Sequence, residues 1–193
     1  MASRAAHREE LLRALESEAE GQRFALNGAA EESQRAFLRA AEHYRRSWEL
    51  ASATSYGRLV GMLKAAILGG EANPAARYVR TQLDAEPEGS ATAAYALALA
   101  ALAEDEDAEA SRLAGEMHGD SKAFARTAGA IEALAARDEV RYAESLGAIV
   151  RDFEQRPEHL TDVPIADTAL VLERLAARRG MSSGVASPLL PLP

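Results

Sequence analysis

The chain has 193 residues, a formal net charge of −8, 48% hydrophobic residues, 5% aromatic residues and no cysteine. The missing cysteines exclude a disulfide framework and a thiolate metal site. Basic residues number 22 against 30 acidic ones, and no third of the chain has a basic excess, which excludes the electrostatic footprint of a nucleic-acid binder.

The first helix is expected from Ser3, a good cap, through Leu11, Leu12, Leu15 and Ala19, and past Gly21 to Leu26, where Asn27-Gly28 stops it. The second covers Ala29 to Ser52, with Ala36, Phe37, Ala40, Ala41, Tyr44, Trp48 and Ala51 on one face at helical period. The third runs from Thr54 to Leu68, turns Leu59, Met62, Leu63, Ala66 and Ile67 inward, and ends at Gly69-Gly70. Asn73 caps the fourth, Pro74 occupies its first position, and it stops before Pro87. The fifth, Ser90 to Ala103, is apolar almost all round and so is expected to be the most buried element.

Glu104-Asp105-Glu106-Asp107 reads as a turn and the first turn of a sixth helix, where the helix dipole favours each negative charge by roughly 0.3–1 kcal/mol. That helix ends near His118-Gly119. The seventh runs from Asp120 or Ser121 to Ala136, and the eighth from after Asp138 to Arg156, before Pro157. The ninth is expected from Asp162, with Pro164 in its first turn, to Gly180. Residues 181–193 hold three prolines and read as an extended tail, which could pack over the last hairpin, stay mobile or offer a polyproline-type ligand.

The expected fold class is all-α: about nine helices with short links, stacked as antiparallel hairpins in one domain over 1–180, followed by the tail. Within Leu59–Pro87, the positions Leu59, Met62-Leu63, Ala66, Gly70, Ala75, Val79 and Pro87 fall at the spacings of a tetratricopeptide repeat. This segment resembles that family, and Ala41 and Ala143 recur at one and two repeat lengths from Ala75, with Glu109 interrupting the series beside Ala108. The resemblance implies a tetratricopeptide-like α-solenoid whose concave face binds peptides or folded proteins.

Arg141-Tyr142-Ala143, Asp152-Phe153, the helix from Ala166 through Ala176, Arg179-Gly180 and Ser187-Pro188-Leu189-Leu190-Pro191 are together similar to the end of the all-α immunity proteins of bacterial polymorphic toxin systems. That similarity implies a stoichiometric inhibitor of a cognate toxin, with no catalytic residue to carry over.

A search for chemistry finds little local signal. His7, His43, His118 and His159 form no metal-ligand pair, and there is no phosphate loop or nucleophile elbow. We therefore expect no enzyme, no cofactor and no metal. Arg35, Arg39 and His43 form a stripe along the second helix beside Arg46; Glu31 and Glu42 stand four residues before Arg35 and Arg46 and can pair with them. Arg35, Arg39, His43 and Arg46, with Tyr56 and Tyr78, are the expected surface for a protein partner.

Met1–Glu20 is charged throughout and lacks the apolar core of a leader peptide, and the uncharged run Gly89–Ala103 is too short to span a bilayer. The expected setting is the cytoplasm, without nucleic-acid or membrane partners. The alternative reading is a small-ligand binder or enzyme with a polar pocket between hairpins, in which His43, His118 or His159 meets buried carboxylates.

Overall fold

The computed structural model describes residues 2–83 and 89–191. It is all-helical among those residues: α1 (Ala2–Leu26), α2 (Ala30–Leu50), α3 (Gly57–Gly69), α4 (Ala72–Gln82), α5 (Ala91–Ala103), α6 (Asp107–Gly115), α7 (Lys122–Ala135), α8 (Glu139–Glu154) and α9 (Asp167–Ala177). The caps explain several boundaries. Ser90 accepts from the Ala93 amide, Ser121 from Phe124 and Asp138 from Arg141, each satisfying a donor that the helix leaves free.

The C-terminal stops share one geometry, in which an amide just past the helix bonds a carbonyl five residues back: Ala29 to Phe24, Glu71 to Ala66, Glu106 to Ala101, Asp138 to Ala133 and Met181 to Ala176. The residue before each of these amides is left-handed, and it is glycine in three cases but Asp105 and Arg137 in the other two.

Several expected boundaries move. Ser3 lies inside α1 rather than capping it. α3 begins at Gly57 rather than Thr54, because Ser52, Thr54 and Ser55 bond one another's hydroxyls in a turn. Glu71 precedes α4 in place of Asn73, whose side chain instead accepts from Arg178. α6 ends at Gly115. Pro87, Leu192 and Pro193 lie outside the described residues.

The largest correction concerns α9, which begins at Asp167 rather than Asp162. Asp162 is left-handed and its amide closes a turn onto the His159 carbonyl, and from there to 166 the chain is non-helical: Val163 and Ile165 are buried while Asp162 and Pro164 are exposed. This period of two is the signature of extended backbone. The Ala166 amide bonds the Leu189 carbonyl at 2.7 Å, so the returning tail holds the segment open just before the helix starts.

Each helix packs on its chain neighbours, and α5 is buried continuously from Ala93 to Ala103. Its alanines let α3, α4, α6 and α7 approach from all sides. The helices α3, α5, α7 and α9 also touch in series, and α9 turns back onto α3, closing a ring of four. The tail joins the same core through Met181 and Leu190, both buried, with Val185 and Leu189 packed beside them.

Candidate functional site

The ring of α3, α5, α7 and α9 encloses one end of a cavity of about 320 Å³, with α1, α8 and the non-helical 157–166 segment completing the wall. A volume of this size lies at the small end of known ligand pockets. Each ring helix lines it from its N-terminal end: Gly57 and Val60, with Lys64 at mid-helix, from α3, Thr92 and Tyr95 from α5, Ala123, Phe124 and Arg126 from α7, Asp167 and Thr168 from α9. The 157–166 segment crosses from α8 to α1, where the Thr161 hydroxyl donates to Gln22 Oε1. Gly57, Ala123, Arg156 and Leu160 are its exposed lining residues and mark its mouth.

One wall is a buried polar cluster. Glu18 on α1 is 6% exposed and accepts a 2.5 Å hydrogen bond from the Tyr44 hydroxyl on α2. Tyr44 lies flat over Gly61 of α3, where any β-carbon would come within 2.8 Å of the ring. Lys64 donates to Asp167 and, at 3.3 Å, to the Thr168 hydroxyl. Burial, reinforced by the Asp167 charge, pushes the Glu18 carboxyl up to about 7, against the opposing pull of Lys64 and Tyr44. Burial also works against a charge on Lys64, but Asp167, Tyr95 and Glu18 outweigh it and hold the ammonium firmly protonated.

A second stretch of the wall is cationic. Arg126 on α7 and Arg156 at the end of α8 share one carboxylate: Arg126 donates to Asp152 Oδ1, and Arg156 Nη2 to Oδ2 at 2.7 Å. Burial would raise the Asp152 carboxyl, yet the two arginines hold it below its usual range. The Arg156 guanidinium sits 3.7 Å over the Phe153 ring, which stacks in turn on His159 at 6.2 Å. Val60, Phe124, Ile149, Phe153, Val163 and Ile165 supply the apolar lining between the walls.

Among the described residues, four buried side-chain atoms lack a well-formed hydrogen bond: Tyr95 Oη, Arg126 Nε, His159 Nδ1 and Tyr142 Oη. The first three belong to residues lining this one cavity. These atoms are shielded inside the cavity walls, where an unmatched polar group costs about 1–3 kcal/mol, and for Tyr95 the Thr168 hydroxyl lies near enough to soften that cost.

The residues singled out from the sequence lie elsewhere. Arg39 pairs with Glu20 at 2.5 Å and His43 with Glu10 at 2.7 Å, tying α2 to α1. Arg35 faces Glu31 and Glu32 at 3.6 and 3.8 Å, and Arg46 pairs with Glu42 at 2.9 Å. Tyr56 stacks on Trp48, and the Tyr78 hydroxyl donates to Glu49 at 3.1 Å. Of the histidines, His159 alone reaches the cavity; His43 binds α1, and His118 pairs with Glu132 at 2.9 Å. The cavity residues escaped the sequence reading, although two signals existed. Lys64 is a single charge in the apolar centre of α3, and Tyr95 is the one aromatic in an alanine- and leucine-rich α5.

The geometry defines a class: an all-α chain whose helix N-termini converge on a mixed polar and apolar cavity. Compared with known proteins, the chain matches no family model, no curated protein sequence and no solved structure. Among the described residues no group of three or more histidine, aspartate and glutamate side chains is placed to hold a metal, and no helix is long and apolar enough to cross a membrane.

Proposed function

We propose that the protein binds a small organic molecule in the cavity between α1, α3, α5, α7, α8 and α9, in a cytoplasmic setting, and that recognition rather than catalysis is its task. The mixed lining of the cavity carries this reading: Lys64, Tyr95, Arg126 and Arg156 stand around an apolar span in a space of about 320 Å³, the combination that ligand pockets show. The surrounding apolar side chains supply area for the ligand's body, and the mouth between Gly57, Ala123, Arg156 and Leu160 supplies access.

The test is ligand-observed NMR with a fragment set containing neutral, acidic and basic compounds, run on the wild type and on Ala123→Trp, which places an indole at the mouth. Fragments that bind the wild type and are lost from the folded variant support the proposal. A set with no hits, or hits indifferent to the tryptophan, overturns it.

A protein partner is the second reading, as a toxin-neutralising immunity protein or a tetratricopeptide-like adaptor. Leu160, 79% exposed at the cavity mouth, would be an apolar contact for such a partner.

A further inference from the structure

We infer that the cavity selects a compact organic monoanion, a carboxylic acid with an aromatic or branched apolar body whose carboxylate lies against Arg126 and Arg156. This rests on the cavity being a ligand site and names the chemistry of its occupant.

The charge distribution carries the argument. The chain is acidic overall, at −8, yet the cavity gathers Lys64, Arg126 and Arg156 against the carboxylates of Asp152, Asp167 and Glu18. Asp167 is committed to Lys64, and Glu18 is engaged by the Tyr44 hydroxyl. Arg126 and Arg156 have only Asp152 between them, so that wall carries a local excess of one positive charge, which Glu18, held by a neutral hydroxyl elsewhere in the lining, does not pair with directly. A guanidinium offers a carboxylate parallel donors, and charge-assisted bonds of this kind are about twice as strong as neutral ones.

The helices add to the field. α3, α5, α7 and α9 all bring N-terminal halves to the cavity, and each such end carries roughly half a positive charge. The C-terminal end of α8 opposes them there, one helix against four.

The same layout rejects other ligands. A cation would meet the arginines and the helix N-termini. A dianion such as phosphate would bring two negative charges against a local excess of one, in a space that also holds Glu18 and Asp167. The apolar span between the walls includes the Phe124 ring, set edge-on to Tyr95 at 6.2 Å, and the Phe153 ring under Arg156, which favours a flat or branched hydrocarbon body over a sugar.

Calorimetry with phenylacetate, phenylacetamide, phenethylammonium and inorganic phosphate tests this at constant pH and ionic strength. Phenylacetate should bind about tenfold or more tightly than phenylacetamide, as expected for a hydrogen-bonded charge. Phenethylammonium and phosphate should show no binding that Ala123→Trp removes. Arg126→Gln should bring phenylacetate to the level of the amide. If Arg126→Gln does not fold, Arg156→Gln, at the exposed mouth, should reduce the same preference. An amide or ammonium that binds as tightly as the acid, with loss in Ala123→Trp, overturns the anion assignment and leaves the cavity reading standing. If none of the four probes gives a signal that Ala123→Trp removes, the assignment falls. The cavity reading falls with it only when the wider fragment set fails too. A preference unchanged in both arginine variants places the carboxylate elsewhere and also overturns the assignment.

Discussion

Charges on the outer face of α2 and charges around the cavity obey different rules. On α2, Arg35 pairs with Glu31 and Glu32, Arg45 with Glu42 and Glu49, and Arg46 with Glu42, all three or four residues apart and open to solvent. Around the cavity, Lys64 reaches Asp167 across 103 residues, Arg126 reaches Asp152 across 26, and Thr161 reaches Gln22 across 139. The first set decorates a helix that packing already holds. The second set exists only once the chain has folded, and it shapes an interior that the apolar pattern alone would have filled.

The largest expected effect follows from this contrast. Lys64 is 13% exposed at its side chain and neutralises Asp167, with Glu18 close by. Lys64→Met keeps the shape and leaves a carboxylate buried without its cation, which typically costs 3–5 kcal/mol, or about that here. Arg35→Ala should change stability by about 0.5 kcal/mol or less, as exposed pairs do. Urea unfolding of both variants measures the gap, and equal losses would erase the distinction between the two regions.

Glu18 should produce the next effect, as a dependence on pH. Its carboxyl titrates near 7 in the folded chain against an ordinary value of 4.5, so between these values the folded state holds a proton that the unfolded state has released. Stability therefore falls as pH rises through this window, by roughly 3 kcal/mol at most, and levels off above it. Glu10, Glu42 and Asp152 are shifted downward, so their contributions are lost only at lower pH. The groups facing Glu18 are Tyr44, Lys64 and Asp167, from α2, α3 and α9; the aspartate reinforces the shift, and the lysine and the tyrosine's hydrogen bond oppose it. In Glu18→Gln, denaturant titrations between pH 5 and 8 should lose most of this slope. A slope equal to the wild type's would mean that the carboxyl is ionised throughout.

The helices were legible because their signals are local. Ser90, Ser121 and Asp138 are caps in sequence and in space, and Gly28, Gly70 and Gly180 stop helices by adopting left-handed backbone that other residues resist. Asp162–Pro164 misled because an acidic residue followed by proline also opens helices. The competing signal was the alternation of Val163 and Ile165 with exposed neighbours. The cavity was not legible, because its walls draw on six helices and a strap, and no spacing rule connects Glu18 to Asp167 or Gln22 to Thr161. Lys64 and Tyr95 were visible as interruptions of apolar helices, but a lone polar residue in such a pattern does not reveal what it faces.

Arg39 separates two explanations that Lys64 and Arg35 leave entangled. Its 2.5 Å pair with Glu20 joins two helices across 19 residues, so it shares the long-range character of the cavity pairs. Its side chain is 50% exposed and that of Glu20 is 47% exposed, so it shares the solvation of the surface pairs. If burial decides the energy, water and salt screen this pair, and Arg39→Ala should cost about 0.2–1 kcal/mol, less at high ionic strength. If joining distant segments decides it, the cost should approach that of Lys64→Met. We expect the smaller value, because the closely packed α1–α2 seam, where the Phe37 ring lies within about 3 Å of the space above Gly21, holds these helices together with or without the pair. A loss of several kcal/mol in Arg39→Ala, insensitive to salt, would show instead that the outer face and the cavity are stabilised by the same physics.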